Sequence, residues 1–189
     1  SHHFHSPSMD KDLPPTFVPE FARACIDAEA DIYIGTGPHR TLGIEIYKGK
    51  PLLYSIGNLF AQSEFLERNP PEAYEKYGFD MDQLPTLTAA DYHDARKGVL
   101  PSPDPWWWYS IVPLLTFEKG RLLEFKLYPV ALGRTGEEAE NIIRPTGTRT
   151  EGRPILAQGE DAKRIIEQVK RLSSHFGTNI EFKDDVGIV

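Results

Sequence analysis

Ala30-Asp-Ile-Tyr-Ile-Gly-Thr-Gly-Pro-His39 runs directly into Arg40-Thr-Leu-Gly-Ile-Glu-Ile-Tyr-Lys-Gly-Lys-Pro-Leu-Leu-Tyr-Ser-Ile-Gly-Asn58-Leu-Phe60. Asp31 to Ile34 is short, β-branched and apolar, which predicts a buried strand, and Gly35 and Gly37 are expected to break it in a sharp turn. His39 is thereby delivered just past a strand's carboxyl end, the edge at which α/β sheets collect ligands and catalytic groups. Ile44 to Tyr47 and Pro51 to Ile56 read as two further strands, joined at Lys48-Gly-Lys50 by a tight turn in which glycine supplies a positive φ.

Working outward, Phe17, Phe21, Ala24, Cys25 and Ala28 recur at helical spacing between Thr16 and Glu29, and Pro19 is tolerated near the first turn. The pattern predicts an amphipathic helix packing that stripe on the sheet. Residues 61–105 carry many prolines and two short helical patterns, around Pro71 to Tyr77 and Ala89 to Lys97. They read as an insertion, either a surface excursion or a substrate lid. Trp106-Trp-Trp-Tyr109 leads into Ser110 to Phe117, a turn with Gly120, and Leu122 to Tyr128, a long hairpin that sets Leu123, Phe125 and Leu127 on one face. Three consecutive tryptophans on a strand cannot all face one side, so at least one meets solvent, a partner or a ligand ring. Arg134 to Gly159 reads as an extended surface loop. Asp161 to Phe176 is the clearest helix, with Ile165, Ile166, Val169, Leu172 and Phe176 on one stripe and Gly177 past its end. Asn179 to Val189 reads as a terminal strand or hairpin. The element order predicts an α/β chain, with α+β as the alternative.

The net charge of −7, with no Lys/Arg cluster, argues against nucleic acid as a partner. An anionic polymer becomes a partner only where metal or local basic residues offset the repulsion. No stretch approaches the roughly 20 apolar residues that a membrane span needs. The single cysteine, Cys25, cannot form an internal disulfide, which leaves the compartment open. His3 and His5 stand two apart, so a strand would place both on one face and His2 on the other. The alternative is that these histidines are hydrogen-bonded loop residues. His93, beside Asp91 and Asp94, and His175, at a helix end, are read as structural. Arg40 is read as an anion-binding fork or a solvated side chain, and Asn58 as a turn-holding residue or one that reaches the site.

Residues Ala30 to Asn58 resemble the bacterial CapA family, the poly-γ-glutamate capsule-synthesis proteins, almost throughout. Ser1, His3 and His5 resemble the family's strand-end Ser-x-His-x-His pattern. Arg153 to Ala157 and Ser174 to Thr178 resemble its closing segment, and the likeness is weaker from about Glu64 to Pro105. Thr36 departs from it, standing where the family commonly has a histidine.

The resemblance implies a layered metallophosphoesterase-like sandwich with β-hairpins, of which these 189 residues form the carboxyl-terminal part. It implies a divalent metal, manganese, zinc or iron, held by His3, His5 and His39, and completed by an amino-terminal half or a partner subunit. The chemistry implied is hydrolysis or transfer on a phosphoester or γ-glutamyl polymer, with a water activated by the metal and with Arg40 and Asn58 as catalytic residues. A non-catalytic scaffold of a capsule-polymer assembly is the competing reading, and a homodimer is one way to cover the exposed sheet edge. The likeness implies a cell-envelope or extracellular location.

Overall fold

The computed structural model describes residues 1–5, 10–60, 68–88, 91–92, 105–133 and 152–189. Helices and strands are mixed along the chain, as expected of an α/β protein. β1 (His2–His3), β2 (Tyr33–Thr36), β3 (Ile44–Tyr47) and β4 (Lys50–Leu53) form one sheet in the order β1-β2-β4-β3. β1, β2 and β4 run parallel, and β3 returns antiparallel to β4. The β3–β4 turn is Lys48-Gly49, both at positive φ (52° and 77°), the mirror-image turn that matches strand twist.

The chain pattern explains why this sheet is covered on both faces. Leu52 and Tyr54 pack with Phe4, Tyr33 and Leu42 under Val18, Ala22 and Ile26 of α1 (Phe17–Asp27). Leu53 and Ile44 face the other way, into a core with Ala162, Ile165, Ile166 and Val169 of α3 (Gly159–Ser174). Alternate residues of one strand thus feed two cores, the period-2 consequence of a strand buried on both sides. The second sheet contains β5 (Tyr109–Glu118), β6 (Arg121–Leu132), β7 (Pro154–Leu156), β8 (Glu181–Lys183) and β9 (Val186–Ile188). β5, β6, β9 and β8 lie in that order, with β7 also paired to β6. Tyr109, Ile111, Phe125 and Leu127 carry this sheet into the core beneath α3. Between the two sheets, α2 (Pro71–Glu75) packs Tyr74 against Phe79 and Tyr92.

Several expectations are corrected. Gly35 lies inside β2 rather than ending it: a Cβ there would sit 2.2 Å from Tyr54 O, so this glycine permits close approach of two strands. The stripe expected to bury α1 is the wrong one. Phe17 and Phe21 are 44% and 50% exposed, and Val18, Ala22 and Ile26 are buried. The tryptophans occupy a 3-10 turn, Pro105–Trp108, which splits them between environments without a strand. The loop expected over 134–159 contains β7. His93 and most of the pattern at 89–97 lie outside the described residues.

Candidate functional site: a histidine cluster at the ends of three parallel strands

Because β1, β2 and β4 are parallel, their carboxyl ends point the same way, and each chain leaves its strand carrying a polar side chain. His3 ends β1 opposite Thr36 at the end of β2, and His5 follows two residues on. His39 follows β2 through the turn at Gly37, and Asn58 follows β4. Gly37, at φ 110°, lies where a Cβ would sit 2.1 Å from Phe4 O, so only glycine lets the two strand exits cross so closely. His39 itself is held at φ 58°, a conformation that non-glycine residues seldom adopt.

His3 Nε2 lies 2.7 Å from His5 Nε2, and the His5 and His39 ring centroids are 5.3 Å apart. His3 Nδ1 meets Thr36 Oγ1 at 3.1 Å, so the threonine orients an imidazole. Asn58 decides the state of His39. Its amide nitrogen donates to His39 O (3.2 Å) and Trp107 O (3.0 Å), which leaves Oδ1 to face His39 Nδ1 at 2.8 Å. His39 Nδ1 must then donate, and in the neutral ring Nε2 carries the lone pair. A hydrogen bond on one ring nitrogen that frees the other is the support commonly given to metal-binding histidines. His2 points away, accepting from Tyr33 Oη at 2.6 Å on Nδ1 and packing on Phe21. Burial pushes the Tyr33 hydroxyl up to about 12.

Two imidazole nitrogens converge, and a third ring lies beside them. Nitrogens bound to one zinc at about 2.1 Å stand about 3.0–3.4 Å apart, so His3 and His5 would need to part by only a few tenths of an ångström. Imidazoles suit zinc and iron. Among the described residues, however, no three His, Cys, Asp or Glu side chains gather as a complete ligand set. The donors present therefore fit part of a coordination sphere.

Arg40 is held in an ion-pair network. Its guanidinium meets Asp12 at 3.2 Å, and Asp12 also meets Arg171 of α3 at 2.8 Å. Glu45, on the same stretch as His39, is buried and works elsewhere: Arg23 of α1 grips both its oxygens at 3.0 Å, and Tyr54 donates to it. Burial, followed by the bond to Glu45, raises the Tyr54 hydroxyl well above its ordinary value. Glu45 thus ties α1 to the sheet. His175 is the C-cap of α3.

The sequence reading missed Trp107. Its ring centroid is 6.3 Å from that of His39, with the planes 31° apart. Nothing in local spacing signals this pairing, which depends on Asn58 reaching across 49 residues to the Trp107 carbonyl.

Residues 2–63, which contain β1 through β4 and all three clustered histidines, match the family model described as bacterial capsule synthesis protein PGA_cap. Over this stretch the chain is similar to the bacterial capsule synthesis protein family. That family sits in the metallophosphoesterase-like superfamily. Two proteins of Sinorhizobium fredii (strain NBRC 101917 / NGR234), the uncharacterized proteins y4sH and y4uA, are each 36% identical to this chain over 197 residues. The match covers 100% of this chain and 40% of either relative. The chain therefore spans well under half the length of the curated relatives it matches. No helix among the described residues is long and apolar enough to cross a membrane.

Proposed function

We propose that this capsule-synthesis-type chain supplies His3, His5 and His39 to a divalent metal centre for hydrolysis or transfer on a phosphoester or a γ-glutamyl polymer. The observation that supports this reading is the meeting of the His3 and His5 imidazoles at the ends of parallel strands, with the His39 ring beside them and fixed by Asn58 with its Nε2 available. A divalent metal bound there would act as a Lewis acid and make water a better nucleophile. His3 and His5 would hold it through Nε2, and Asn58 would keep His39 in the tautomer that faces it. Arg40 would offset negative charge on the substrate, a contribution reduced by its pairing with Asp12. The remaining ligands would come from another segment or subunit, consistent with relatives much longer than this chain.

Calorimetric titration of the metal-free protein with manganese and with zinc tests the reading. Binding that is lost in both His3→Ala and His39→Ala, and kept in His2→Ala, is the expected result. Equal binding by all variants would overturn it.

A second reading, a non-catalytic component of a capsule-polymer assembly, is favoured by the exposed outer face of α1. Phe17, Phe21 and Ala24 line a groove beside His2, next to the open edge of β1. Such a surface suits contact with another copy or with a partner subunit.

A further inference from the structure

We infer that Trp107 is the binding platform for a ring in the substrate, which makes the preferred ligand of the histidine site a phosphoester whose alcohol part is cyclic. This deepens the reading of the histidine cluster as a phosphoester site and rests on it. The three tryptophans of the Pro105–Trp108 turn have separate fates. Trp108 is buried with Val130 and Leu132, and Trp106 packs on Tyr109 against the main core. Trp107 alone of the three stands beside His39, and it is only partly buried.

Its position is fixed on two sides. Trp108 meets it edge-on, with ring centroids 4.9 Å apart, and Asn58 holds its carbonyl at 3.0 Å. The same Asn58 amide holds His39. One side chain therefore anchors both the imidazole and the backbone that carries the indole, and the two rings lie 31° from parallel. An ester whose phosphate lies against the histidines has its first ring within reach of the indole face. A preorganised aromatic surface of this kind favours flat or partly apolar ring faces, since stacking needs area and no particular hydrogen-bond pattern. A linear γ-glutamyl chain has no ring to place there.

The test measures binding of three phosphoesters, a hexose phosphate, adenosine monophosphate and glycerol phosphate, to the manganese-loaded full-length chain. Trp107→Ala and Trp107→Phe are measured in parallel, and the heat of manganese binding checks that the histidine cluster is intact in each. Trp107→Ala is expected to weaken one or both cyclic esters about tenfold, to leave glycerol phosphate unchanged, and to be rescued in part by Trp107→Phe. Whether the hexose or the nucleotide loses more identifies which ring the platform takes. Binding of all three esters with no preference in the wild type, or an equal loss for linear and cyclic esters in Trp107→Ala, overturns the platform while leaving the phosphoester site standing. Absence of any phosphoester binding by the wild type overturns both.

Discussion

Asn58 uses both amide hydrogens on backbone carbonyls and its oxygen on an imidazole, so its removal strands three polar groups at once. Asn58→Leu is expected to cost about 1 kcal/mol in urea unfolding, the net worth of partly exposed hydrogen bonds whose stranded partners can turn to water. The same variant should weaken manganese binding about tenfold or more, because the ring it orients becomes free to rotate. Tyr33 gives a second prediction. Its folded pKa, raised to about 12, exceeds the ordinary value of about 10, so folding favours the protonated hydroxyl. The stability this contributes is complete below about pH 10 and is lost as pH rises toward 12. Alkaline titration followed by phenolate absorbance should show a late-titrating tyrosine population, with melting temperature falling over the same interval. At this scale the sequence was informative about identity and less so about direction. His3, His5 and His39 stood out by spacing and by likeness, and the structure brings them together. Arg40 also stood out, yet its partner, Asp12, is set by tertiary packing that no local pattern encodes, as is the pairing of Glu45 with Arg23.

At the scale of elements, the hairpins were legible because their turns are chemical. Lys48-Gly49 and Lys119-Gly120 place paired positive φ values where glycine announces them. Asp184-Asp185 does the same with φ 50° and 61°, and Asp185 also accepts from Gly159 N at 3.0 Å to satisfy the start of α3. The stripe on α1 was misread because two phenylalanines outweigh Val18, Ala22 and Ile26 in apolar bulk. The smaller residues are the ones that let the helix lie close on the sheet. Gly35 was read as a turn residue because a glycine can signal either positive φ or close contact, and sequence does not separate the two. Gly35→Ala separates them. With 2.2 Å between the new Cβ and Tyr54 O, the strands must part, and a loss of about 3 kcal/mol in chemical unfolding is expected. A turn glycine in open space, such as Gly49, should lose only about 1 kcal/mol on the same change.

For the molecule as a whole, the exposed Phe17 and Phe21 of α1 lie beside His2 of β1, which among the described residues is an edge strand. Sedimentation is expected to show concentration-dependent self-association, reduced in the double variant Phe17→Ser, Phe21→Ser with its fold unchanged by circular dichroism. Association that persists in the double variant would move the contact elsewhere, with the exposed Val112 and Leu114 of β5 as the next surface to alter. The mixed order of helices and strands was legible from the spacing of apolar residues. The exposure of Phe17 and Phe21 was not, since exposure is a property of what covers a residue rather than of the residue.

β1 is only two residues long and pairs along a single neighbour. Two of the three clustered imidazoles ride on it or just beyond it. Short edge pairings open more readily than central ones, and here Phe4, the buried residue between the two and bonded to Thr36 O at 2.9 Å, is what keeps them beside the third. The intrinsic affinity of the cluster for any ligand is then divided by the fraction of molecules in which the edge is in place. Whatever secures that edge, a second copy or an additional strand, acts as a positive effector of the histidines without touching them.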